Sequence, residues 1–167
     1  MIDLKEIKNL LQSLDAKQVE DSIKVLIEVK NYSVKIMLNE LIYAKDNRIR
    51  KNIALSIVDN FKDERIIPAL KELIIDNKTE NENAILVYAL GEYSNSIELL
   101  DFLFELVMYK DYHTALNAIN IIFSMVPQFN DSLVSNLLNK VENIDFIEVD
   151  KKELIQDLTT FLKNQIR

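Results

Sequence analysis

Apolar residues recur every three or four positions along almost the whole chain, the spacing that places them on one face of an α-helix. The first two runs are Leu4, Ile7, Leu10, Leu11 and Leu14, then Val19, Ile23, Leu26 and Ile27. They predict a pair of amphipathic helices joined near residues 15–17. The same pattern predicts four further pairs, at residues 32–43 and 48–60, 64–75 and 81–93, 96–109 and 112–125, and 132–141 and 150–165.

Polar residues and prolines mark the ends of these predicted helices. Asp63, Asn95 and Asp131 stand just before apolar runs, where a short polar side chain can accept hydrogen bonds from free helix N–H groups. Pro127 is expected to end one helix, and Pro68 to start or kink another. The chain is therefore predicted to be all-α, with about ten helices and no sheet.

A unit of about 33 residues repeats through the middle of the chain. One copy opens at Asp46 and another at Asp111, 65 residues later, and residues 82–91 stand where the copy between them belongs. A period of this length is typical of stacked helix pairs, each of which contacts its neighbours along the chain. We expect one continuous solenoid domain over residues 1–167, with the terminal pairs acting as caps.

These repeated residues resemble the HEAT repeats of bacterial proteins. Residues 63–76, with their Ile67-Pro68-Ala69-Leu70 run, are similar to the first helix of such a repeat, while Ile49-Arg50 and Ala89-Leu90-Gly91 are similar to the Val-Arg and Ala-Leu-Gly motifs of the second. The resemblance covers about residues 46–126. It implies a right-handed α-solenoid of about five antiparallel helix pairs, in which Arg50 is structural, although the third copy has Ala115 at that position.

Composition narrows the chemistry that the chain can perform. There is no Cys, one Gly and one His (His113), and no zinc-protease or calcium-loop motif, so we predict no catalytic residues, no metal site and no cofactor. The protein is expected not to be an enzyme; a HEAT-like enzyme of DNA-repair or lyase type is the lesser alternative. The N-terminus lacks a signal-peptide pattern and no apolar run approaches ~20 residues, so a cytoplasmic protein without membrane contact is expected.

Charge is concentrated in the centre of the chain. The net charge is −7, which argues against a general nucleic-acid-binding function. Residues 76–111 contain eight acids and two bases, and four of the six tyrosines lie between residues 88 and 112. A short basic cluster at Lys45, Arg48, Arg50 and Lys51 invites a phosphate-binding interpretation, but the structural assignment of Arg50 leaves too few free bases.

The repeat also predicts a surface on which a partner binds. If Ile49, Ile53, Ile57 and their equivalents are buried, the outward positions of the second helices form rows along a concave face. The rows are Asn52, Ile85 and Asn117; Leu55, Tyr88 and Asn120; and Asp59, Glu92 and Ser124, with Tyr112 beside them. Alternatively, Tyr93 and Tyr109 belong to the core between repeats, and the acids merely solvate a helix face.

An acidic, tyrosine-containing face suits a basic protein partner. The expected function is therefore protein binding, in one of two roles. The protein is either an inhibitor, such as the immunity protein of a bacterial toxin, or an adaptor or scaffold subunit of a larger assembly. Its richness in Lys, Asn and Ile is typical of an AT-rich bacterial genome, and the pattern sets no oligomeric state.

Overall fold

The structure, a computed structural model, describes residues 4–13, 15–28, 33–43, 46–61, 64–76, 83–93, 96–125, 128–143 and 149–166. These residues form ten α-helices and no strand, which confirms the predicted all-α class. The helices are α1 (Leu4–Leu11), α2 (Ala16–Glu28), α3 (Ser33–Tyr43), α4 (Asn47–Phe61), α5 (Ile66–Ile75), α6 (Asn83–Tyr93), α7 (Leu100–Tyr109), α8 (Tyr112–Ser124), α9 (Asp131–Glu142) and α10 (Lys152–Lys163).

Every predicted helical segment contains a helix, and the differences lie at the ends. Helices α7 and α10 are each preceded by one turn of 3-10 helix, at Ile97–Leu99 and Val149–Lys151. Pro68 is the third residue of α5, so it lies in the first turn, in agreement with the expectation that it starts a helix. Such a position tolerates proline because the N–H groups of the first turn have no partner within the helix.

The predicted capping residues agree less well with the structure. Asp131 is not the cap of α9; it is the first helical residue, and the side chain of Asn130 accepts a hydrogen bond from the Leu133 N–H at 2.9 Å. Sequence spacing alone could not decide between these adjacent polar residues. Asp63, Asn95 and Pro127, which were also predicted to mark helix ends, lie outside the described residues.

The chain divides into two compact units, residues 1–93 with α1–α6 and residues 94–167 with α7–α10. In the first unit α1 packs on α2, α3 on α4, and α5 on α6. The first helices α1, α3 and α5 also contact one another in order, as do the second helices α2, α4 and α6. In the second unit α7 packs on α8 and α9 on α10, while α8 contacts α10. A single domain over residues 1–167 stays a prediction.

The second helices bury the positions that the repeat predicts. In α4, Ile49, Ile53 and Ile57 are all buried. The equivalents of Ile53 and Ile57 in α6 and α8 are also buried, namely Leu86, Leu90, Ala118 and Ile122. Because successive buried positions are four residues apart, they form one stripe along each helix. The register of the 33-residue period is therefore correct for the core.

A buried lysine connects the turn before α10 with the end of α7 in the second unit. Lys151, which is 3% exposed, belongs to the 3-10 turn before α10. Its ammonium group donates hydrogen bonds to the Met108 carbonyl at 2.9 Å and to the Lys110 carbonyl at 2.8 Å. Carbonyls at a helix C-terminus lack partners within the helix and carry partial negative charge, so a buried cation is stabilised there.

Substitution of Lys151 by Met is expected to lower the free energy of unfolding by about 2 kcal/mol, because buried carbonyls would lose charge-assisted hydrogen bonds. Lys152→Met is the matched control, since Lys152 is exposed and adjacent. Urea denaturation should show a change within about 0.5 kcal/mol for the control. Equal effects of the two substitutions would show that the hydrogen bonds of Lys151 do not stabilise the fold.

A buried amide at the start of α6 has no hydrogen-bond partner among the described residues. Asn83 is 0% exposed, and neither its side-chain nitrogen nor its side-chain oxygen forms a hydrogen bond with any described residue. It stands 33 residues after Arg50 and 32 before Ala115, so it occupies the same position of the repeat. Ala115 is also 0% exposed, which shows that this position accepts a small apolar side chain in another copy.

Asn83→Ala should therefore raise the free energy of unfolding by about 1 kcal/mol, because relief of the unpaired amide outweighs the lost packing. Thermal and urea unfolding would measure the gain. Asn136→Ala serves as control, because Asn136 is an exposed residue of α9. A loss of stability in Asn83→Ala would mean that the amide contributes favourably to the native state.

Candidate partner-binding surface

Six of the ten predicted partner-binding residues lie on two helices of the first unit that contact each other, α4 and α6. None of the six is buried: Asn52, Leu55 and Ile85 are partly exposed, and Asp59, Tyr88 and Glu92 are exposed. Hereafter these six residues are called the α4–α6 surface. The repeat therefore predicted the outward faces of both helices correctly.

Tyr88 is the most prominent residue of the α4–α6 surface. It is 49% exposed, although its neighbours in sequence, Val87 and Ala89, are completely buried. Ile85 and Glu92 lie three residues before and four after it, so all three share one side of α6. An aromatic ring between an aliphatic side chain and a carboxylate offers a partner both apolar contact and charge.

The remaining four predicted residues lie on α8, in the second unit. Tyr112 and Asn117 are partly exposed, and Asn120 and Ser124 are exposed. The Tyr112 ring makes an edge-on contact with the His113 ring at 5.4 Å between centroids. The rows thus have their α4 and α6 members on contacting helices, while their α8 members belong to a separate compact unit.

Two aspartates that open the repeats fix the starts of α4 and α8 in the same way. Oδ1 of Asp46 accepts a hydrogen bond from the Arg48 N–H at 2.8 Å, and Oδ1 of Asp111 accepts one from the His113 N–H at 2.9 Å. Asp111 also accepts from the Thr114 N–H at 3.1 Å and from the Thr114 hydroxyl. Capping of this kind satisfies N–H groups that the helix leaves unpaired. Asp46 and Asp111, which stand two periods apart, therefore have the same capping function in their copies of the repeat.

The caps change the acidity of both carboxyl groups. The side-chain hydrogen bond from Arg48, together with its backbone N–H, lowers the pKa of Asp46 below its usual range. Partial burial raises the pKa of Asp111, but the hydrogen bonds from the Thr114 hydroxyl and from the Thr114 and His113 N–H groups outweigh it, and the net shift is downward. Both acids are ionised at neutral pH, and both are engaged within the protein.

The basic cluster is also partly engaged within the protein. Nη2 of Arg48 lies 2.9 Å from Oδ2 of Asp46, which makes a salt bridge at the surface. Arg50 and Lys51 are partly buried, and Lys45 lies outside the described residues. All three described bases of the cluster are thus paired or partly buried, which favours the structural interpretation of this cluster over phosphate binding.

The second unit excludes one of the alternatives and contains one feature that the sequence did not predict. The alternative that placed Tyr109 in a core between repeats is wrong, because Tyr109 is 82% exposed at the end of α7. Three phenylalanines, Phe123, Phe129 and Phe161, form a partly exposed cluster, with centroids 4.2 Å apart for Phe123 and Phe161 and 6.2 Å for Phe129 and Phe161. The apolar period gave no signal for Phe129, because it lies outside the helices.

No group of three or more His, Cys, Asp or Glu residues in the described part of the chain is arranged to hold a metal ion. None of the described helices is both long and apolar enough to cross a bilayer. The chain matches no protein-family model, no curated protein and no solved structure.

Asp111→Ala should lower the free energy of unfolding by about 1 kcal/mol at pH 7, the usual cost of losing an aspartate cap. Because the folded-state pKa of Asp111 is lowered, the contribution of its carboxylate is complete above the unfolded value of about 3.9 and is lost as the pH falls through the lower folded value. The difference between the two proteins should therefore shrink below about pH 4.

Urea denaturation at several pH values would measure this difference. Asp157→Ala removes an exposed carboxylate from the middle of α10 and is the control. A deficit of Asp111→Ala that stays constant down to the pH of acid unfolding would contradict the assigned role of the carboxylate.

Proposed function

We propose that this protein is a non-enzymatic, HEAT-like binding module that engages a basic protein partner through the α4–α6 surface. The observation that carries the proposal is the exposed ring of Tyr88, which lies on the same side of α6 as Ile85 and Glu92. Tyrosine is enriched at the energetic centres of protein interfaces, because its rigid ring covers a large area at little conformational cost.

The packing of the first unit supports the HEAT-like part of the proposal. Its first helices contact one another in chain order, and so do its second helices, which is the neighbour pattern of stacked pairs. In such a stack the outer sides of the second helices form a continuous binding face. The α8 residues Asn117, Asn120, Ser124 and Tyr112 belong to the second unit, and their part in partner binding stays a prediction.

Charge favours a basic partner. Asp59 and Glu92 are exposed on the α4–α6 surface, and the whole chain carries a net charge of −7. An acidic surface accelerates association with a basic protein by electrostatic steering. This behaviour suits an inhibitor that must capture its target quickly, such as the immunity protein of a bacterial toxin. An adaptor subunit, the second candidate, would instead form part of a stable assembly.

Tyr88→Ala combined with Glu92→Lys is expected to weaken partner binding by roughly thirtyfold or more, since loss of a central tyrosine costs about 2 kcal/mol. The partner would first be captured from lysate of the native host and then purified, and its affinity for both proteins measured at low and moderate salt. Binding of the wild-type chain should weaken as salt rises.

Ile75→Ala combined with Glu72→Lys is the matched control. Ile75, 61% exposed, and Glu72 lie three residues apart on α5, a first helix of the same unit. The control should change the affinity less than about threefold. Equal losses in the two variants, or binding insensitive to salt, would refute the α4–α6 surface as the binding site.

The same capture experiment separates the two roles. If the protein is an inhibitor, it should block the activity of the purified partner at equal concentration. If it is an adaptor, capture should recover several subunits together.

A further inference from the structure

A buried glutamate occupies a core position of the first unit. Glu40 lies in the last turn of α3 and is only 3% exposed. One and two periods of 33 residues later stand Leu73 of α5 and Leu106 of α7, and both leucines are also buried. The first helices of the repeat therefore have leucine at this position in two copies and a carboxylate in a third.

The hydrogen-bonding partners of Glu40 are neutral. Nε2 of Gln12, the residue after α1, donates a hydrogen bond to Oε2 of Glu40 at 3.1 Å, and Nδ2 of Asn39 lies 3.5 Å from Oε1. Among the described residues, no lysine or arginine forms a salt bridge with Glu40. A carboxylate removed from water costs free energy unless a cation compensates it, and a helix C-terminus disfavours negative charge. Glu40 therefore weakens the packing in which it is buried.

The weakened packing is that of α1 against α3. These two helices contact each other, and the bond from Gln12 to Glu40 joins them across 28 residues of chain. Helix α1 has eight residues, the fewest of the described helices, so it depends on its neighbours to stay helical. Gln12 is exposed, so water can replace the amide that Glu40 binds. Separation of α1 from α3 would relieve the cost of burying the carboxylate.

We propose that α1 opens away from α3 within the otherwise folded protein, and that the buried carboxylate of Glu40 sets how often it does so. Water hydrates the carboxylate in the open state, so the charge that costs free energy in the closed state favours opening. Folded proteins open locally in this way at free energies far below that of global unfolding. This device lies on α1 and α3, so the proposal goes beyond the α4–α6 surface and does not depend on it.

Hydrogen exchange of the full-length chain, followed by mass spectrometry, tests the opening. In the wild type, the amides of α1 should exchange at least tenfold faster than those of α4, which lies inside the same unit. Glu40→Leu introduces the residue of the other two copies and should slow exchange in α1 about tenfold, because the closed state no longer buries a carboxylate. Glu72→Leu makes the same change at an exposed position of α5 and should alter exchange in α1 less than about twofold.

A second comparison tests the bond that closes α1. Gln12→Met keeps the size of the side chain but removes the amide donor, so exchange in α1 should become about fivefold faster. Asn9→Ser removes an exposed amide of α1 at little change in helix propensity, and its effect should stay below about twofold.

Circular dichroism would establish that each variant folds. Equal exchange rates in α1 and α4 of the wild type would show that α1 opens only when the unit unfolds, and would refute the proposal. So would exchange in α1 that Glu40→Leu leaves unchanged or makes faster. Because no variant changes Tyr88 or Glu92, either result leaves the α4–α6 proposal standing.

Discussion

Every other feature of this fold depends on the burial of one apolar stripe per helix. The described helices contain 8 to 15 residues, and isolated helices of that length are marginal in water. The buried positions Ile53, Leu86 and Ala118, one on each of α4, α6 and α8, show how the chain meets this constraint. Only positions on the opposite side of each helix are left for contact with other molecules, so the core decides which residues can act at the surface.

The acids of the chain serve two different purposes. Asp46 and Asp111 accept hydrogen bonds from the first turns of α4 and α8, so their charge is used to begin a helix. Glu92 and Glu105 lie exposed on outward faces. A net charge counts both kinds equally, but only the second kind is available to a partner. The useful measure of acidity is therefore the charge on a particular face.

Sequence predicted well whatever depends on residues close together in the chain. The order of the helices, the buried register and the outward positions of Tyr88 and Glu92 all follow from a local period. The alternative that placed Tyr109 in the core between repeats is wrong, because this residue lies at the end of α7 and is 82% exposed. The bonds of Lys151 could not be predicted, since its carbonyl partners lie 43 and 41 residues earlier in the chain. The repeat period also gave no information about which compact unit contains the α8 residues.

The position of Lys151 also has a consequence during synthesis on the ribosome. Its two carbonyl partners, at Met108 and Lys110, are made more than 40 residues earlier. At about 5–20 residues per second, the end of α7 waits roughly 2 to 9 seconds for the ammonium group that it binds in the finished protein. Throughout that interval the carbonyls at the end of α7 are without the ammonium group that binds them, and the buried residues of α10, such as Leu158 and Leu162, are not yet available to cover the second unit. The second unit therefore completes its packing only after α10 has been synthesised.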